Sequence, residues 1–187
     1  MTQYGYRPAG MSEHDAKQTG DILQDRLMSL VDLSLTLKHA HWNVVGPDFM
    51  AVHEMFDKQV AEVRGMADEV AERIATLGGI PSGLPGYLVQ NRSWDDYALG
   101  RAVTQAHLGA LDMVYSGVVG AHRNAINATD KTDPVTADLL TAQTGKLEMF
   151  QWFIRAHLEN TSGELSTAGQ KTEIEAAAAA ATTNLLG

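Results

Sequence analysis

The sequence contains no cysteine. That excludes disulfide bonds, thiolate metal sites and a cysteine nucleophile, and it fits a reducing cytosol. No apolar run is long enough to span a membrane. Met1 to Lys17 lacks the apolar segment of a secretory signal, so a cytoplasmic location is expected. Positive charge is scarce: 14 Lys and Arg stand against 23 Asp and Glu, a net charge of −9. A large basic surface for nucleic acid is therefore not expected, whereas attraction of cations is. There is no Gly-rich phosphate loop and no Ser/His/Asp order to support kinase or hydrolase chemistry. No histidine has a glutamate three residues before it. The Glu-x-x-His pairs that build a di-iron centre inside a four-helix bundle are thus missing, and the interior of the bundle is expected to be free of iron.

What is present is helical periodicity. The 187 residues, 44% of them hydrophobic, suffice for one domain with a substantial core. Leu23, Leu27, Leu30, Ser34 and Leu37 form a stripe on a first helix, expected from about His14 to Val45. Gly46-Pro47 stops it, and Asp48 is placed to cap a second helix that runs to Leu77 and ends at Gly78-Gly79. Residues 79–92 read as a long crossover loop with a short helix near Tyr87 to Gln90. Ser93-Trp94-Asp95-Asp96 reads as the capped start of a third helix with a stripe Tyr97, Arg101, Thr104, Leu108, Leu111, Tyr115 and Val118. Asp133-Pro134 opens a fourth, lined by Leu139, Leu147, Phe150 and Ile154, to about Glu159. No period-two pattern competes. The expected organisation is a mobile arm over 1–13, a four-helix bundle over 14–160 and a tail over 161–187. The tail's six consecutive alanines can form a short helix, which alone is marginal in water, so mobility or docking on a neighbour is expected.

Chemistry concentrates between Thr36 and Leu77. His53 and Asp57 are four residues apart, as are Asp68 and Glu72, so each pair shares a helix face. At about 100° per residue all four fall within an arc of roughly 100°, and the apolar stripe Phe56, Val60, Val63, Ala67, Val70, Ile74 and Leu77 is centred roughly 120° away. Imidazole plus carboxylate suits borderline first-row metals such as iron and zinc. His53 and Asp68 are 15 residues apart, about 22 Å along one helix, so they cannot bind one ion within a single chain. They can meet if two copies run antiparallel about a two-fold axis near Ala61 to Arg64, which would create two equivalent sites. His41, from the preceding helix, can complete each.

His41-Trp42-Asn43, then His53 with Asp57, then Asp68-x-x-x-Glu72-Arg73, resembles the Dps family of ferritin-like proteins (DNA-binding proteins from starved cells), over roughly Asp21 to Glu159. The stretches Thr136 to Leu140 and Phe150 to Ile154 resemble its last helix. The resemblance implies an all-α, ferritin-like four-helix bundle with a long crossover between helices two and three. It also implies two-fold dimers assembled into a hollow dodecamer. The implied activity is a ferroxidase that oxidises ferrous iron with hydrogen peroxide, less often dioxygen, and stores ferric oxide. His41, His53 and Asp57 would be ligands from one chain, with Asp68 and Glu72 from its partner. By the same resemblance Asp138 lines an iron-entry pore. Trp42, beside the site, is a candidate electron donor.

Each signal has a plainer explanation. A lone His41 is more often a core histidine. Asp68 and Glu72 alone read as solvated acids with Arg64 and Arg73 as salt partners. Trp42 reads as packing, and Asp138 as an acid complementing a helix dipole. It is the matched spacing of all five ligands that tips the balance. His39 points away from His41, and His14, His107, His122 and His157 lack a carboxylate at metal spacing, so all are expected to be structural. The rival function is a DNA-binding, nucleoid-compacting protein with an incidental metal site. The termini give it no support: Arg7 and Lys17 are offset by Glu13 and Asp15, and the C-terminal tail is acidic.

Overall fold

The computed structural model describes residues 6–160 and 162–183. Four long helices form the bundle: α1 (Glu13–Asn43), α2 (Phe49–Thr76), α4 (Thr104–Thr129) and α5 (Pro134–Leu158), with α3 (Pro85–Asn91) in the crossover and α6 (Glu173–Thr183) in the tail. α1 packs mainly on α2, and α4 on α5 and α6. The apolar stripes face inward as their spacing requires. Leu23, Leu30 and Leu37 of α1, Phe56, Val63 and Val70 of α2, Leu108 and Leu111 of α4, and Leu147 and Ile154 of α5 are fully buried. Tyr115 belongs to this core and donates its hydroxyl hydrogen to Gln59 Oε1 at 2.9 Å, so its one polar atom is satisfied.

Helix ends follow local chemistry in part. Ser12 caps α1, its Oγ accepting from Asp15 N at 3.0 Å. Asp48 and Asp133 occupy the cap positions of α2 and α5 without a side-chain capping bond. Asp133 instead accepts from Arg73 Nη2 at 2.7 Å, tying α5 to the end of α2. Gly78 ends α2 at φ +86°, and a Cβ there would lie 1.7 Å from the carbonyl oxygen of Tyr6. Glycine is required at that position on both counts.

Two expected helix boundaries need correction. The first helix stops at Asn43, because Val44–Val45 (β1) pairs in parallel with Ala102–Val103 (β2). The third long helix begins at Thr104 rather than Ser93. The cap-like Ser93–Asp96 segment is held in the crossover by tertiary bonds: Arg92 grips the buried Asp32 of α1 through Nε and Nη2 at 2.9 and 3.0 Å. Leu99 O accepts from His39 Nε2 at 2.9 Å, so Tyr97 and Arg101 sit in the crossover and not on α4. Residues 1–5 of the arm lie outside the described residues, while Met11 packs on the core.

The tail docks on its own bundle. Ala176, Ala177 and Ala180 are buried against α4. The contact is close because Gly109 has no side chain: a Cβ there would come within 2.5 Å of Ala176 O. Before α6, Thr167 Oγ1 donates to buried Asp112 at 2.9 Å. The same carboxylate accepts from Gln151 and Arg155 of α5, at 2.8 and 2.7 Å.

His122 is fully buried in α4, its Nδ1 donating to Val118 O at 3.1 Å. Burial, and then the nearby Arg26 charge, push its pKa down to about 4. The folded chain holds it neutral where the unfolded chain would take a proton. Its stabilising effect is therefore present above the unfolded value of about 6.5 and is lost as pH falls from there towards 4, at about 1.4 kcal/mol per pH unit. His122→Gln should show a smaller drop in thermal midpoint than the parent between pH 7 and pH 5. An equal drop would place the acid sensitivity elsewhere.

Candidate metal centre

The centre lies where the C-terminal end of α1 meets the first turns of α2. Gly46, at φ +117°, lets the chain reverse between them. His41 and His53 are brought ring to ring, with centroids 3.6 Å apart and planes 21° from parallel. Each ring's Nδ1 lies 2.9 Å from the other residue's backbone carbonyl. A carbonyl only accepts, so both Nδ1 atoms carry hydrogen, and in the neutral rings both Nε2 atoms keep their lone pairs. The outer hydrogen bond fixes the tautomer, as it does for metal-ligating histidines in general. Phe49, one turn before His53, lies against its ring with centroids 4.8 Å apart.

Asp57 joins the pair one turn further along α2. Its Oδ1 is 3.7 Å from His41 Nδ1 and is in direct contact with Lys38 Nζ. The hydrogen bond from Lys38 holds its carboxyl below the usual carboxylate range. Asp68 and Glu72 are exposed on α2, away from this group. Arg73, one of their candidate salt partners, is engaged by Asp133 and Thr136. Among the described residues neither acid has an ion-pair partner in its own chain. A single chain also brings together no group of three or more metal-ligating side chains able to hold an ion, among the described residues.

The other candidates are spread out. Trp42 is 71% exposed, which rules out packing within its own chain as its role. Asp138 is exposed and lies past the first turn of α5, which holds no acid, so the expected dipole partner is absent from that turn. His39 faces Leu99 and the ring of Tyr97, not the centre. His107 is buried beside Tyr97, whose hydroxyl is 3.1 Å from its Nδ1. Lys38, Phe49 and the two carbonyls were not foreseen. They depend on how α1 crosses α2, and Lys38 carries no spacing signal towards a residue nineteen positions later.

This arrangement can be set beside known proteins. The ferritin-like domain model matches residues 20–163. The chain is 55% identical over 168 residues to the DNA protection during starvation protein of Mycolicibacterium smegmatis, covering 90% of this chain and 92% of that one. It belongs to the ferritin-like Dps family. The solved structure of Mycobacterium smegmatis Dps superimposes with a TM-score of 0.88 at 54% identity, covering 89% of this chain and 95% of that one. A further relative, the fine tangled pili major subunit of Haemophilus ducreyi, is 55% identical over 145 residues, 78% of this chain and 77% of that one. The all-α bundle with its long crossover is thus the fold of the family. No helix among the described residues is long and apolar enough to cross a membrane.

His53 is half-buried and lies outside the apolar stripe. Its loss forfeits a hydrogen bond worth about 1 kcal/mol, well short of the 3–5 kcal/mol of a large core truncation. His53→Ala should therefore keep its helical circular dichroism while losing affinity for Co²⁺, followed by the ion's visible absorption. A variant that is unfolded in metal-free buffer would make His53 a structural residue.

Proposed function

We propose that the protein is a cytoplasmic ferroxidase and iron store. The observation that carries this is the His41–His53 pair, whose Nε2 atoms are both free to bind a metal, with the Asp57 carboxylate 3.7 Å from His41 Nδ1. Ferrous iron is the substrate. His41, His53 and Asp57 hold it from one chain, and Asp68 and Glu72 from the partner across a two-fold axis. Among the described residues those two acids are exposed and have no ion-pair partner in their own chain, which supports that sharing. Hard anionic oxygens favour the ferric product over the ferrous substrate. Each hydrogen peroxide takes one electron from each of two ferrous ions, together with two protons, and leaves as two waters, so both ingredients of hydroxyl-radical chemistry are consumed together. The dimers close into a hollow dodecamer in which ferric oxide accumulates. Trp42 stands beside the centre, exposed, as the electron donor that intercepts stray oxidant.

Asp138 is assigned to the route of entry. Three copies around a pore would focus a negative field and concentrate Fe²⁺. Asp138→Asn should slow iron uptake and weaken its dependence on ionic strength while leaving equilibrium metal binding unchanged. Unchanged uptake at low salt would remove the pore role.

The relatives' name keeps a second reading in view, direct DNA binding. Phosphate contacts need cations, and the net charge of −9 and the acidic tail oppose it. A gel shift at low and moderate salt separates the two readings. The shared centre has its own test. Mixing a His41→Ala/His53→Ala chain with an Asp68→Ala/Glu72→Ala chain, each inactive alone, should restore iron oxidation, because a mixed dimer carries one intact site. No recovery in proven mixed assemblies would refute sharing.

A further inference from the structure

Lys38 takes no part in the iron reading above, yet its ammonium reaches the centre. It lies near the C-terminal end of α1, less than one turn before His41, with its side chain only 23% exposed. Its ammonium contacts Asp57 Oδ1, and that oxygen faces the Nδ1 side of His41. Both Nδ1 atoms are already committed as donors to backbone carbonyls. As held by Lys38, this oxygen therefore faces a protonated nitrogen of His41 rather than an Nε2 lone pair, and it must leave the lysine to join the imidazoles at an ion. Among the described residues a single chain brings together no three-ligand cluster.

We propose that Lys38 sets the affinity of the metal centre, as a built-in cation that competes with the metal for Asp57. The proposal rests on the reading of His41, His53 and Asp57 as metal ligands. A carboxylate satisfied by an ammonium is a weaker ligand, because a dication must displace the lysine or share the oxygen with a like charge. The ammonium is also a compact point charge on a flexible stem, which can swing away as the ion arrives. The centre then stays charge-balanced when empty and binds its ion with moderate affinity, which suits a substrate that must be released as product. A permanently vacant carboxylate would hold a divalent ion too firmly for turnover.

The test is anaerobic calorimetric titration of the assembled protein with Co²⁺, an ion that binds without being oxidised. Lys38→Met should bind Co²⁺ more tightly than the parent, by on the order of tenfold. Lys38→Arg, which keeps the charge, should bind like the parent. In an Asp57→Asn background, Lys38→Met should have little further effect, because the competition is for that carboxylate. Equal affinity of Lys38→Met and the parent would overturn the proposal and leave the iron reading standing. An undiminished Lys38→Met effect in the Asp57→Asn background would also overturn it, since the lysine would then act through general charge. No Co²⁺ binding by the parent would overturn the iron reading, and this proposal with it.

Discussion

Each imidazole of the His41–His53 pair gives its Nδ1 proton to the other residue's backbone carbonyl. This reciprocal exchange is the constraint on which the centre depends. It satisfies two donors and joins the end of α1 to the start of α2. It also fixes the tautomer that leaves two Nε2 lone pairs free. A surface histidine pair without those carbonyls would sample both tautomers and many rotamers. Here the backbone of one residue orients the ring of the other, so fixing the tautomers and packing the helices are the same event.

The rest of the chain serves to keep α1 and α2 in that register. The parallel β1–β2 pairing and the His39–Leu99 bond fasten the start of α4 to the end of α1 beside the centre. The Arg92–Asp32 fork holds the crossover down on α1. The distal end is held by Arg73 with Asp133, and by Tyr6 over Gly78. A buried carboxylate with one partner removed costs more than an exposed pair gains. The consequential ion pairs are therefore those of Asp32, Asp112 and Asp133, all nearly inaccessible, and not the surface pairs such as Lys17–Asp21.

The sequence was most legible where one helix face carried the information. The stripes on α1 and α2 and the shared face of His53, Asp57, Asp68 and Glu72 need only a period of 3.6, and the apolar stripes are buried as that period requires. It was least legible where distant residues decide. Ser93–Asp96 has the local pattern of a helix start, but Asp32, sixty residues before Arg92, holds that segment in the crossover. The alanine run has no local reason to dock. It docks because Gly109 leaves room for a backbone to approach. Lys38 was invisible for the same reason, since only the crossing of α1 over α2 brings it to Asp57. Tertiary contacts override local propensity at each of these places.

Relatives at 55% identity carry names as different as DNA protection during starvation and fine tangled pili. Fold and identity alone therefore do not choose a function, and the choice must come from the site. A fibre subunit needs only complementary surfaces and has no use for a pair of imidazoles with fixed tautomers and free lone pairs. A protein that protects DNA by binding it needs cations at its surface, and this chain has an excess of nine negative charges. One that protects DNA by removing ferrous iron and peroxide needs no contact with DNA at all. Its negative charge then draws in the metal it consumes, and the charge that weakens one route to protection strengthens the other.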